Sequence, residues 1–345
     1  MSRKTAIDTV NLCSHERPAH CEFTLHHELM ERVTGLSRHD EGFEQRFREL
    51  WQIDFVWYTN DGPVPRDKLG RQADMGHARF MADGSDFRDV RTNPFQSPDE
   101  VLSFDAVEEY GLPNSDDLTA HFRASHQQAK ARCPDALVPG GFYDTLVSGA
   151  IRAFGWDQML MAAADQDRFE RVLDSFCELA LHHFRAWART GIEAFICHDD
   201  MVWTSGPFMH PDFYRRAVFP RYRKLWEVLH EAGIKVIYCC DGNFTMFLDD
   251  VAAAGADGFI VEPATSFDIL TEKFGRTHVL VGSHVDCRTL TFGTREGIRE
   301  EIDASLAVGL PCPGWVCVVG NHIAPNVPVD NALFYYDYLS RHWRR

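Results

Sequence analysis

Five times beyond residue 190, a short apolar run stops at side chains able to hold charge, bind metals or move protons. Residues 192–197 run into His198-Asp199-Asp200, and 235–238 into Cys239-Cys240-Asp241-Gly242-Asn243. Residues 258–261 run into Glu262-Pro263, 279–282 into Ser283-His284-Val285-Asp286, and 315–320 into Asn321-His322. The acid pair together with Asp241 is a concentration of negative charge that a divalent cation would neutralise. Without a cation, close carboxylates repel and one keeps its proton. A carboxyl raised in this way, in a water-poor site, can act as a proton donor.

Such groups need elements that bring them to one place. Each apolar run is followed by an amphipathic stretch, and strands alternating with helical patterns imply a parallel sheet. In a closed sheet of this kind the functional side chains collect at the C-terminal strand ends. The pattern therefore predicts an α/β protein with a (β/α)8 barrel, residues 192–198, 235–240, 257–262, 279–283 and 315–319 being parallel neighbours. Residues 53–59 (IDFVWYT) read as a further strand that ends at the turn Asn60-Asp61-Gly62-Pro63. Residues 62–100 are polar and punctuated by Gly and Pro, and read as an excursion of loops and short strands on the rim. Ser97 followed by Pro98 is a helix start. Helical spacing continues over 115–130, 143–153, 166–189, 211–232, 244–254, 295–308 and 329–343, with Pro220 predicting a kink. No linker divides the chain, so residues 1–345 read as one domain, with 1–50 as an N-terminal extension and 51–345 as the barrel.

The 345 residues suffice for one barrel with insertions. A formal net charge of −16 without a basic run argues against nucleic acid as a partner. No apolar run reaches the roughly 20 residues of a membrane span. The N-terminal residues lack the apolar core of a secretory signal, so a cytoplasmic protein is expected. The ten cysteines are expected to be reduced thiols, since Cys177, Cys197, Cys239, Cys240 and Cys317 lie within apolar helix or strand patterns.

Four segments resemble the uroporphyrinogen decarboxylase superfamily in order and spacing. GIEAFICHDDMVWTSGPFMHPDFYRRAVFPRYRKL resembles its acidic pair, Gly-Pro and Pro-led helix start. YCCDGNFTMFLDDVAAAGADGF resembles its Asp-Gly-Asn strand end, VGSHVDCRTLTFGTREGIREEI its Asp-x-Arg-x-Leu segment, and GNHIAPNVPVDNALFYYDYL its closing strand. The resemblance covers roughly 145–345, with IDFVWYTNDGP similar to the strand whose end carries an aspartate. It implies a (β/α)8 barrel and one of two chemistries.

A porphyrinogen decarboxylase clamps several carboxylates with arginines near its N-terminus. The corresponding stretch here, ERPAHCEFTLHHELMERV, lacks both arginines of the family signature, although Asp61 matches the decarboxylase aspartate in its offset. The other branch moves methyl groups to or from a corrinoid protein or a thiol, and many of its members carry zinc. Its His-x-Cys falls on Cys239-x-Asp241, and its distal Cys on Asn321, so all three positions depart in residue type. Zinc accepts Cys, Asp and His together. The resemblance thus implies a methyltransferase-like enzyme that takes a methyl group from a small methylated substrate, for instance a methoxylated aromatic. The acceptor would be a separate corrinoid protein, since no cobalamin-binding Asp-x-His-x-x-Gly signature is present.

On this reading Asp61, Asp199 and Asp200 are the catalytic candidates, and Asn60, Trp203, Phe208, Glu262, Asn321 and His322 line the substrate site. Cys239 and Asp241, with His198 or His284 and with His322 as a further candidate, hold Zn²⁺. The alternatives are a decarboxylase, or a barrel that has lost metal and catalysis; a homo-oligomer is compatible with either. Structural roles compete throughout. One of the adjacent pair Cys239 and Cys240 must face away from the other and pack as core. Asp199 and Asp200 also suit a cap, and Asp241 a turn. Asp286 with Arg288 suits a rim ion pair, and the pairs His26-His27 and His182-His183 read as solvated surface.

Overall fold

The computed structural model describes residues 2–13, 15–75, 79–80, 86–87 and 92–345. Part of the expected 62–100 excursion lies outside these residues; within it, 79–80 and 86–87 pair as a short antiparallel hairpin.

Seven parallel strands form one sheet: β1 (Ala19–His20), β2 (Gly140–Phe142), β3 (Ala194–His198), β4 (Lys235–Cys240), β5 (Gly258–Val261), β6 (Val279–Val281) and β7 (Trp315–Cys317). Their order is β1-β7-β6-β5-β4-β3-β2. The five strands expected beyond residue 190 are consecutive neighbours in it. Residues 54–56 bridge the two edges. The amides of Asp54 and Phe55 donate to the His20 carbonyl, and the amide of Val56 donates to the carbonyl of Leu137. Leu137 in turn donates to the Asp54 carbonyl at 2.7 Å, and Phe55 pairs with Leu137 in parallel. The ring closes through this eighth segment as a (β/α)8 barrel. Because β1 pairs with β7, the first fifty residues are not a mere extension of the barrel but supply one of its staves.

The two-residue strand period divides the core in two. Ala19, Phe55, Ala194, Ile196, Ile237, Cys239, Val279 and Val316 fill the barrel. Phe195, Cys197, Val236, Tyr238, Cys240 and Cys317 face the surrounding helices. Cys239 is therefore an inner residue and Cys240 a packing residue, as adjacent positions require. All ten cysteines are free thiols.

The helices follow the expected signals. Ser97 accepts from the Glu100 amide ahead of the helix Pro98–Leu102, and Thr294 caps Arg295–Gly309. Gln166–Ala188 is the long helix expected at 166–189. Pro220 breaks its span as expected: helix Pro211–Phe213 passes into a π turn, Tyr214–Val218, before Phe219–Glu231. A proline cannot donate to the carbonyl four residues back and its ring crowds that carbonyl, so the preceding turn widens. No described helix is long and apolar enough to cross a membrane. The histidine pairs depart from expectation. His26 is buried, with Nε2 at 2.8 Å from the Val327 carbonyl and Nδ1 accepting from the Leu29 amide. His183 is buried as well.

Candidate functional site

His198 continues the inward series Ala194, Ile196 on β3, while Cys239 and Asp241 continue Ile237 on β4. Paired in parallel, with His198 opposite Cys239, the two strands carry all three side chains to the barrel mouth. One ligand atom from each lies within 4.8 Å of the others. Tetrahedral zinc holds such donors about 3.5 Å apart, given its bond lengths to sulfur, nitrogen and oxygen. A small contraction would complete a three-ligand site with an open position, so the donor set fits zinc. The His198 ring is stacked on Tyr143 at 3.9 Å, and its Nδ1 faces the Tyr143 carbonyl at 3.4 Å, leaving Nε2 for a metal.

Asp200, inward by the same parity, comes within 3.3 Å of His198 Nε2 and accepts from the Asp241 amide at 2.9 Å. Burial raises its carboxyl above the ordinary range, His198 and the Asp241 amide opposing. Burial works against the charged imidazole of His198, yet the charges of Asp200, Asp241 and Asp199 hold it above its usual value. Cys239 is pushed well up by burial and then by Asp241 and Asp200, with the Trp57 side chain bonding it in the other direction. It is a thiol until a metal displaces the proton.

Asp199 departs from the pocket role expected of it. Parity turns it outward to the helix layer, where it is fully buried. Its carboxylate accepts from the amides of Leu146, Val147 and Ser148 and from the Tyr222 hydroxyl at 2.6 Å. His284 also points away from the cluster. It packs edge-on against Phe267, with Nε2 at 3.2 Å from Asp268.

The remaining candidates occupy three further places. Glu262 accepts from the Gly242 amide at 2.9 Å and from Asn321 Nδ2, whose Oδ1 meets His322 Nδ1. Burial and Asp241 raise the Glu262 carboxyl. Asn321 has φ +67°, a conformation asparagine tolerates. Trp203 is exposed, and Phe208 joins it and Trp156 at 5.4 and 5.2 Å. The hairpin carrying Trp203 rests on Gly242, whose φ of +88° and contact with the Trp203 backbone leave no room for a Cβ. Asn60 closes a turn onto the Gly62 amide and meets Tyr58 and His121 rather than the cluster.

Asp61 accepts from the Tyr143 amide at 2.5 Å. Burial, and then the Asp144 charge, push its carboxyl up to about 6 against Arg66, the Tyr143 amide and Arg152. The folded value exceeds the unfolded one of 3.8, so stability falls as pH rises between these values, and the penalty is complete above the upper one. A shift of this size corresponds to about 3 kcal/mol, discounted because Asp61 is partly exposed. Asp61→Asn retains the acceptor for Tyr143. It should stabilise the protein by about 1–2 kcal/mol at pH 7.5 and by almost nothing near pH 4. Urea midpoints that shift equally at both pH values would contradict this.

Tyr143 and Trp57 were not among the sequence candidates. The Trp57 ring stands edge-on to Tyr143 and His198 at 6.1 and 6.3 Å. No strand was expected at 140–142 and 143–153 was read as helical, whereas Tyr143 follows β2 and the helix begins at Val147, so the sequence offered no positional signal for it.

Residues 145–342 match the uroporphyrinogen decarboxylase family model. A uroporphyrinogen decarboxylase of Syntrophotalea carbinolica is 29% identical over 175 residues, 51% of this chain and 49% of that protein. Another from Citrifermentans bemidjiense is 28% identical over 185 residues, 52% and 51% of the two chains. The matched region thus spans about half the length of these curated relatives. Among solved structures, a methyltransferase from Methanosarcina mazei superposes with a TM-score of 0.67 at 19% identity, covering 98% of this chain and 97% of its own. That likeness is one of fold.

Proposed function

The chain belongs to the uroporphyrinogen decarboxylase family, and from that premise we propose a methyltransferase-like enzyme. It takes a methyl group from a small methylated substrate, of the methoxylated aromatic type, and delivers it to a separate corrinoid protein. The observation that carries this reading is the His198, Cys239 and Asp241 donor group at the barrel mouth. Porphyrinogen decarboxylation asks instead for arginines free to clamp carboxylates. Here Arg17 is bound to Asp54, and Arg66 donates to the Asp144 carbonyl.

A zinc ion held by the three residues would supply a Lewis acid for the ether oxygen. The aromatic faces of Trp57 and Tyr143 beside His198, with Trp203 and Phe208 across the rim, give a methoxylated ring its apolar surface. Transfer breaks the oxygen–methyl bond. The methyl carbon goes to the Co(I) centre of the corrinoid, and the oxygen keeps the electron pair and takes a proton from Asp200. Asp200, 3.3 Å from His198 Nε2 and bonded to the Asp241 amide, is placed to give that proton, and solvent restores it. Glu262, Asn321 and His322 form a polar edge that orients the substrate.

The test is a screen of methoxylated aromatics with cob(I)alamin, read as methylcobalamin formed. Asp200→Asn should lower kcat about 100-fold or more. Carbon dioxide release from a porphyrinogen without methyl transfer would replace this reading with decarboxylation. Neither activity, in protein that binds zinc, would leave a binding barrel.

A further inference from the structure

A cavity of about 210 Å³, lined by none of His198, Cys239 and Asp241, lies between the 61–69 loop and the helices Ala106–Tyr110 and Gln166–Ala188. Its mouth gathers three apolar side chains that are unusually exposed, Val64 at 44%, Leu69 at 43% and Leu112 at 42%. Pro113, Leu179 and the Tyr110 ring continue the apolar wall. Asp61, Arg66 and His183 supply its polar groups.

His183 is the informative one. Its Nδ1 lies 2.8 Å from the Leu179 carbonyl, four residues back in its own helix, which places the ring proton on Nδ1. Nε2 is then a lone-pair acceptor. It faces Gly62, a lining residue, at 3.6 Å from where a Cβ would stand. Among the described residues no hydrogen-bond donor reaches this nitrogen. The residue is 7% exposed and lines the cavity. Burial pushes the imidazole down to about 4, so it is neutral at physiological pH.

Charge narrows the ligand. A carboxyl and a guanidinium share the lining, so an ion of either sign meets one attraction and one repulsion. Arg66 is partly engaged: Nη2 donates to the Asp144 carbonyl and the guanidinium stands over the Tyr110 and Phe142 rings, while Nη1, 3.9 Å from the Asp144 carboxylate, has no hydrogen-bond partner among the described residues. A neutral molecule with an apolar body and one donor suits the place. An engineered apolar cavity of roughly 150 Å³ accepts benzene, so this one has room for a substituted ring.

We propose that this flank cavity is a second ligand site, separate from the donor cluster, for a small neutral phenol-class molecule whose hydroxyl donates to His183 Nε2. Its ring packs between Leu112, Leu69 and Leu179. A site that hydrogen-bonds a hydroxyl rejects the analogue without one, because the buried acceptor is then left unpaired.

The experiment is calorimetric titration of the full chain with phenol and with toluene, in the absence of any methyl donor or corrinoid. Its outcome is thereby independent of the proposed methyl transfer. Phenol should bind at least about tenfold more tightly than toluene. His183→Leu should erase that preference. Leu112→Trp, an exposed position whose substitution spares the core, should block the mouth and weaken phenol binding at least about tenfold. It decides the matter should His183→Leu fail to fold. Phenol binding that is unchanged in Leu112→Trp, or no preference over toluene in the wild type, would overturn the proposal.

Discussion

Cys239→Ser and Asp241→Ala should each weaken zinc binding by at least about 100-fold, as titration against a chromophoric chelator would measure. The wild type should purify with about one ion per chain. The three donors come from two adjacent strands held in register by the barrel, so losing one leaves two ligands that cannot move to compensate. Serine in place of Cys239 keeps the volume but offers a hydroxyl, which does not ionise as a thiol does near a metal. Alanine at 241 removes a negative charge from beside Asp200 as well as a ligand. His198→Gln should behave likewise. Methyl transfer should fall in parallel with metal content. Full activity in thoroughly demetallated wild type would remove the metal from the mechanism and leave proton transfer by Asp200.

The barrel was legible because its signal repeats. Each strand ends at a turn residue and is followed by a helix pattern, so one misread unit would not have changed the result. The first half was harder to read. β1 is two residues long and left no pattern, and of the strand expected at 53–59 only 54–56 joins the ring, through irregular bonds. The site was legible in part, and strand parity separates what was seen from what was missed. His198, Asp200, Cys239 and Asp241 share the inward phase of their strands. Asp199 has the outward phase, and so does His284 when counted from Val279 and Val281. Position past a strand end nominated all of them alike, whereas the period of two distinguishes the mouth from the helix layer. Asn60 and Asp61 were misjudged for a different reason. They lie on an irregular turn whose direction depends on the Tyr143 amide and on Gly62, neither of which a local pattern reveals. His183 read as surface because it is half of an adjacent histidine pair, taken as solvated. Only the packing of helix Gln166–Ala188 against the 61–69 loop makes one of the pair an inner residue.

Asp199→Ala is expected to destabilise the fold by about 3–5 kcal/mol, the range for breaking a buried charged network by removing one partner. The carboxylate joins three structural pieces. Its oxygens take the amide protons of Leu146, Val147 and Ser148, which open the helix Val147–Ala162, and the hydroxyl of Tyr222 on the helix Phe219–Glu231. The Tyr238 hydroxyl adds a bond to the Asp199 carbonyl at 2.9 Å, tying β4 to the same point. Alanine would leave four donors facing one another in a dry interior, and each unmet donor costs about 1–3 kcal/mol before relaxation. Tyr222→Phe removes a single donor and should cost about 1–2 kcal/mol, since the carboxylate keeps its backbone partners. The effect should extend to the mouth. Ser148 Oγ accepts the Asp200 amide proton at 2.6 Å, so loosening residues 146–148 releases the backbone that aims Asp200 at His198. Asp199 is thus a positioning residue. Its loss should lower kcat more than it changes KM for the methylated substrate, and Asp199→Asn should recover less than half of the stability because its amide NH2 would confront one of the donors. Urea unfolding in which Asp199→Ala lies within about 1 kcal/mol of the wild type would show that the network does not hold these pieces together.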